Sequence, residues 1–234
     1  MKNIFKKKNP IKIIRKKIKE HLFYKDKRFV FDANVDIVYD NSEFKDRNRL
    51  VYYEYGEAVE DIFKPNSMID IGCANGYLLE YFYKKGIKEL AGLEGAKAAF
   101  KYMSDGIKEK IFKTDLSQKV DVLVNKKFYL VNCTEVGEHI PAKYENIFLK
   151  NIERFVDKYI ILSWANTWED WLGFDRQKHV NPRSKRYIRN RLKRMGLRYN
   201  RFLTNNLVRA LKKKQNVFDH WIKNIMVFEK KASL

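Results

Sequence analysis

From Ser67 onward the chain alternates short apolar runs with longer stretches of helical periodicity. Strands are read near 67–71, 90–94, 110–113, 127–133 and 158–164, with helices such as 76–86 and 143–156 between them. Strands separated by helices can lie side by side only through crossovers, so this rhythm restricts the chain to a parallel, doubly wound, Rossmann-like α/β sheet. A basic helix around 183–195, a strand near 197–203 and a last strand at 224–230 follow. With no β-α rhythm between them, the two late strands are expected to form an antiparallel edge. The chain has 234 residues, 45% of them hydrophobic, enough for one such core. No internal repeat divides it. The organisation read is an N-terminal extension, 1–45, and one domain, 46–234.

The first strand ends in Asp70-Ile-Gly72-Cys-Ala-Asn-Gly76-Tyr-Leu-Leu, a glycine-bearing turn that runs straight into a helix. Glycine lets backbone approach a ligand closely, and a helix start offers N–H donors and partial positive charge, so a nucleotide-like ligand is expected. The dinucleotide fingerprint G-x-G-x-x-G would need glycine at 72, 74 and 77, where the chain has Gly72, Ala74 and Tyr77. NAD is thereby disfavoured, and no G-x-x-x-x-G-K-[ST] loop serves a nucleoside triphosphate.

What the residues do fit is D-x-G-x-x-x-G, in Asp70, Gly72 and Gly76, with an acidic residue closing the second strand, Leu90-Ala-Gly-Leu-Glu94. In this order of strands and motifs the chain resembles the class I S-adenosylmethionine (SAM) dependent methyltransferases over roughly residues 50–230. The resemblance implies a seven-stranded, mostly parallel sheet with an antiparallel last strand, and SAM as cofactor. It also implies that the turn at Asp70, Gly72 and Gly76 cradles the methionine and ribose portions. Glu94 then takes the ribose hydroxyls, since its two oxygens can accept both. Asp115, after the third strand, matches a position that often contacts the adenine amino group. Ala74 stands where the motif usually has its middle glycine.

In doubly wound sheets ligands lie beyond the carboxyl ends of the strands. That brings the exit of the fourth strand, Asn132-Cys-Thr-Glu135-Val-Gly-Glu138-His139, to the expected transfer centre. The [DN]-P-P-[YF] motif with which methyltransferases of exocyclic base amines align their acceptor is absent, which favours an oxygen acceptor. Glu135, Glu138 and His139 are spaced i, i+3, i+4 and would share one face of a helical turn. The E-x-x-E-H pattern is similar to that of the O-methyltransferases of quinone biosynthesis and of small-RNA 3′ ends. It implies a divalent metal, Mg²⁺, Mn²⁺ or another, on Glu135, Glu138, His139 and, past the fifth strand, His179. Without a metal, His139 or His179 would be the general base. The alternative is structural: Glu138 and His139 cap the next helix, and His179 is an exposed loop residue.

His179-Val-Asn181, Tyr187, Gly196-Leu-Arg-Tyr199 and the closing strand also resemble methyltransferases that accompany glycan-building enzymes. Trp164, Trp168, Trp171 and Phe174 follow the fifth strand and either stack on sugar rings or pack a core or lid. The reading is therefore a SAM-dependent O-methyltransferase whose acceptor is a hydroxyl of a sugar in a glycan or glycolipid. An RNA 2′-O-methyltransferase and a non-catalytic SAM-fold partner subunit are the alternatives.

Charge is segregated along the chain. The net +20 divides into +10 over 1–28, −6 over 29–175 and +16 over 176–234. Basic ends around a slightly acidic middle suit an anionic partner such as RNA, an acidic glycan or a membrane surface, or serve solubility alone. Ile11, Ile14, Ile18 and Leu22 recur at helical spacing among lysines, a basic amphipathic stretch that would lie on an anionic membrane or pack on the domain. No apolar run approaches the roughly 18 residues that span a bilayer, and Lys6, Lys7 and Lys8 stand where a signal peptide has its apolar stretch. A cytoplasmic protein, peripheral to a membrane at most, is expected. Cys73 and Cys133 are too few for a disulfide framework or a cysteine-rich zinc site.

Overall fold

The computed structural model describes residues 44, 45, 47–166 and 179–230. Helix α1 (Arg49–Phe63) begins at Asn48, whose side chain accepts from the Leu50 N–H at 3.0 Å, and ends at Lys64 in the left-handed conformation. Its stripe Val51, Tyr55, Ala58, Val59 and Phe63 is buried. β1 (Ser67–Ile71) is buried at every residue, as a central parallel strand covered on both faces must be. Then come α2 (Tyr77–Lys84), β2 (Glu89–Glu94), α3 (Asp105–Lys108), β3 (Ile111–Lys113), β4 (Phe128–Cys133), α4 (Glu145–Arg154) and β5 (Val156–Leu162). The last third holds α5 (Lys185–Arg194), β6 (Leu197–Tyr199), α6 (Arg201–Leu211), α7 (Asp219–Asn224) and β7 (Met226–Lys230). Short 3-10 turns at Lys97–Lys101, Gly137–His139 and Ala142–Tyr144 complete the order.

The sheet order is β3-β2-β1-β4-β5-β7-β6, parallel through β5, with β7 antiparallel to both β5 and β6. This is the seven-stranded, mostly parallel architecture that the sequence implies. The order reverses between β1 and β4, so their carboxyl ends form the switch point at which doubly wound sheets bind ligands, and the register sets Asp70 beside both Gly92 and Asn132. One apolar layer packs Tyr55, Leu79, Leu207 and Trp221 on one face, and a second packs Phe148, Phe155, Trp164 and Ile188 on the other.

The late region departs from expectation in its detail. The strand read near 197–203 stops at Tyr199, because Asn200 accepts from the Leu203 N–H at 2.9 Å and caps α6. Two helices therefore join β6 to β7, and the edge is antiparallel because β7 inserts between β5 and β6. The amphipathic stretch 11–22, with Trp168, Trp171 and Phe174, lies outside the described residues. Phe44 is only 3% exposed and belongs to the core, and the Asn75 side chain donates to its carbonyl at 2.8 Å. The described residues all fall in one compact unit, and no described helix is long and apolar enough to cross a membrane. Cys73 and Cys133 are buried free thiols.

Candidate active site

Beyond Asp70 the chain turns through three left-handed residues, Gly72 (φ 73°), Ala74 (φ 50°) and Gly76 (φ 71°). Space as well as φ demands glycine at the first and last: a Cβ at Gly72 would stand 2.4 Å from Val136 Cγ2, and one at Gly76 2.7 Å from Ile111 Cδ1. Ala74 carries its Cβ into the left-handed region at a cost of roughly 1–2 kcal/mol. Its N–H donates to Glu94 Oε2 at 2.7 Å, and Glu94 Oε1 accepts from the Ala96 N–H at 2.8 Å. The Glu94 carboxylate thus clamps the turn to the exit of β2. The Gly72 and Cys73 N–H groups close the same seam on the Leu93 carbonyl, at 2.8 and 3.1 Å. Helix α2 starts directly after Gly76, so its first-turn N–H groups, which have no intrahelical acceptors, stand at this end of the sheet.

Burial above all pushes Glu94 up from the usual carboxylate range, against the backbone donors of Ala96 and Ala74 and the nearby Arg47 charge. Asp70 rises to about 7, by burial first, with the Asn132 hydrogen bond opposing and the Glu94 charge adding to the rise. Asn132 Nδ2 donates to Asp70 Oδ1 at 2.7 Å, and Asn132 Oδ1 accepts from Tyr55 Oη at 2.8 Å, which ties α1, β4 and β1 at one point. Asp115 is half-buried after β3, and its Oδ1 accepts from both the N–H and Oγ of Ser117, at 2.8 and 2.7 Å. Arg47, Tyr52 and Tyr55, which the sequence reading did not name, belong to this corner. The Arg47 guanidinium donates to Tyr52 Oη, and burial chiefly raises the Tyr52 hydroxyl, with Asp70 and Glu94 contributing. Their signal was the Asn48 cap, which places Tyr52 and Tyr55 one turn apart on α1.

The exit of β4 is not the single helical turn expected. Glu135 is left-handed (φ 55°), so only Gly137–His139 form a 3-10 turn. Ser163 Oγ accepts from the Glu135 N–H at 2.9 Å and donates to Glu135 Oε1 at 2.6 Å, which holds that carboxylate toward the end of β5. The other three residues do meet: Glu138, His139 and His179 each offer a ligand atom, all within 4.8 Å of one another, and the two imidazole centroids are 4.9 Å apart. Glu138 is fully buried and neither carboxyl oxygen has a hydrogen bond of good geometry, although the Glu135 carboxylate and the backbone of Glu138 and Ala165 lie close to it. Burial, then the adjacent Glu135 charge, pushes it well above the usual carboxylate range. Trp164 is a core residue, packed on Phe148 and donating Nε1 to the Asn181 carbonyl at 2.7 Å.

The comparisons with known proteins agree with this geometry. A family model described as a methyltransferase domain matches residues 45–200. No curated protein matches the chain. Among solved structures, a SAM-dependent methyltransferase from Archaeoglobus fulgidus superposes with TM-score 0.56 at 16% identity, over 82% of this chain and 97% of that one. The magnesium protoporphyrin IX methyltransferase from Synechocystis PCC 6803 with bound SAM gives 0.53 at 15%, over 97% and 100%. The methyltransferase domain of bacterial CtHen1 gives 0.52 at 14%, over 78% and 100%. At such identities the structures attest the fold, and the family match attests the membership. The chain belongs to the methyltransferase-domain family, within the class I SAM-dependent methyltransferase superfamily.

Proposed function

We propose that the chain is a SAM-dependent O-methyltransferase acting on a sugar hydroxyl, in a glycan or glycolipid. The observation that carries the reading is the cluster of Glu138, His139 and His179, next to a turn whose Gly72 abuts Val136. Glu94 suits the ribose diol, because each oxygen has one backbone donor and keeps a lone pair for a hydroxyl. Asp70 lies deeper in the same turn, and Asp115 keeps Oδ2 for the adenine amino group.

A sugar hydroxyl is a poor nucleophile at neutral pH. It must lose its proton as its oxygen forms the bond to the methyl carbon and the carbon–sulfur bond breaks. An imidazole of His139 or His179 can hold that proton. The buried surroundings of Glu138 exclude water and orient the acceptor oxygen in line. The cluster also fits a divalent ion, since Glu138 brings two buried oxygens without well-formed hydrogen bonds beside two imidazoles, a donor set suited to Mn²⁺, Fe²⁺, Co²⁺ or Zn²⁺. Bound on Glu138, His139 and His179, such an ion would act as a Lewis acid that lowers the pKa of a neighbouring hydroxyl. The deciding experiment is SAM turnover on candidate glycans after EDTA, with and without added Mn²⁺. Activity restored by the metal supports the ion. Full turnover in stripped enzyme leaves the histidine base, and no methyl gain on any sugar hydroxyl overturns the acceptor class.

A second reading, RNA 2′-O-methylation, is favoured by α5. Its Arg186, Arg189, Lys193 and Arg194 are exposed and spaced i, i+3, i+7, i+8, one basic stripe on the helix that follows His179. Binding of a labelled RNA that weakens steeply with salt, and less steeply once three of these are changed to Gln, would support it.

A further inference from the structure

We propose that Glu145 is a positioning residue, the fastener that sets His179 against His139 and Glu138. The inference rests on reading that cluster as the acceptor-side centre. His139 sits on a short 3-10 turn after β4, whereas the described residues around His179, ahead of α5, belong to no strand or helix. Something other than regular structure must bring the two rings together.

Backbone bonds supply one layer. The Val180 and Asn181 N–H groups both donate to the Glu138 carbonyl at 2.8 Å, so the residues just past His179 hang from its proposed co-ligand. The Arg183 N–H donates to the Ala165 carbonyl at 3.0 Å.

Side chains supply the other layer: Trp164 donates to the Asn181 carbonyl, and four more side chains converge on Glu145. This first residue of α4 is 4% exposed. Its Oε2 accepts from Asn181 Nδ2 at 3.2 Å and Arg183 Nε at 2.8 Å. Its Oε1 accepts from Tyr187 Oη at 2.6 Å and lies 3.5 Å from Arg191 Nε. Every donor to Glu145 belongs to the stretch that leads from His179 into α5, while Glu145 itself follows His139 closely in the chain. One carboxylate therefore joins the two segments that carry the histidines. Burial acts to raise this carboxyl, but the Tyr187, Arg183 and Asn181 hydrogen bonds and the Arg183 charge outweigh it and hold it below the usual range. A carboxylate suits the task because it accepts on both oxygens. An amide would turn two protons toward donors and leave one of them unsatisfied.

If Glu145 served only the fold, its loss would lower stability without disturbing the ring pair. A fastener instead moves His179, and both NMR and metal affinity read that movement. The chain has four histidines, which keeps the imidazole region simple to assign. Wild type should show nuclear Overhauser contacts between the His139 and His179 rings. Glu145→Gln should lose them, weaken Mn²⁺ binding roughly 10–100-fold as outer-shell changes do, and bind S-adenosylhomocysteine within twofold of wild type. Tyr187→Phe, which removes one donor and keeps the rest, should weaken Mn²⁺ severalfold and serves if Glu145→Gln does not fold.

Unchanged ring contacts and Mn²⁺ affinity in a folded variant overturn the proposal. If His179→Ala abolishes Mn²⁺ uptake while folded Glu145 and Tyr187 variants leave it intact, the centre stands and the fastener falls. If wild type takes up no Mn²⁺ but the ring contacts still vanish in Glu145→Gln, the metal reading falls and the fastener stands.

Discussion

Glu94 and Glu138 are both buried carboxyls at the ligand-facing end of the sheet, one after β2 and one after β4, and they are finished in opposite ways. Glu94 receives a backbone N–H on each oxygen, from Ala74 and Ala96. Glu138 receives no bond of good geometry on either, only the weaker approach of its own and the Ala165 backbone. A buried carboxyl with donors strengthens its surroundings, whereas one without them costs the fold free energy. On the proposed assignment, the cofactor side is completed by its own backbone, whereas the acceptor side keeps a polar group that the fold leaves poorly bonded. On that assignment the contrast separates cofactor binding from acceptor chemistry.

The largest effect expected on either side is on turnover. Glu138→Leu should lower methyl transfer roughly 10²–10⁴-fold, leave SAM affinity within twofold, and leave thermal stability equal or higher because a buried carboxyl without well-formed bonds gives way to an apolar side chain. A variant less stable than wild type in a melting scan would break the contrast.

On the cofactor side the expected cost falls on the fold. Gly72→Ala should destabilise by about 3 kcal/mol, from the left-handed backbone and the collision with Val136. Denaturant unfolding measures it, and a cost near zero would mean that the turn relaxes freely. Glu94→Ala is expected to lose about 2 kcal/mol of SAM affinity, near thirtyfold by calorimetry. It should also melt earlier than wild type, the reverse of Glu138→Leu.

Asp70 gives the most diagnostic signal, and the smallest over any single pH unit. Its folded pKa is about 7 against an ordinary 3.8, so between these values the unfolded chain releases a proton that the folded one keeps. Stability from this group is therefore present below about pH 4 and lost as pH rises to 7, by on the order of 1 kcal/mol per pH unit. Asp70→Asn should remove that slope, and unfolding curves at several pH values in both proteins would detect its persistence.

The legible parts of the molecule were those whose signals are local. Asp70, Gly72, Gly76 and Glu94 sit on one strand–turn–helix–strand unit, where spacing alone sets geometry. Helix α1 was equally local and has no counterpart in the sequence reading, although Asn48 followed by Val51, Tyr55, Ala58 and Val59 marks it. The alternation through Leu197 and Tyr199 runs on in sequence to 203, and only the Asn200 cap shows where strand gives way to helix. The pairing of His139 with His179 was anticipated from strand order. The left-handed backbone at Glu135, which breaks the expected helical turn while its carboxylate stays beside Glu138, was not, because a backbone reversal at a glutamate leaves no mark in residue type. The bonds of Glu145 to Asn181, Arg183 and Tyr187 join residues 36 to 42 apart, beyond the reach of any periodicity.

Gly72 and Val136 touch where the cofactor turn meets the acceptor loop, at a distance that leaves no room for one added carbon. Mutational histories at these two positions are therefore entangled. Shrinking Val136 to alanine would open the space that Gly72→Ala needs, while the left-handed backbone would still oppose the change, so the two substitutions together should cost less than their sum. A lineage that adapts this loop to a new acceptor thus drifts against a fixed wall: position 136 can become smaller or change shape, but it cannot advance toward the turn without closing the neighbouring cradle.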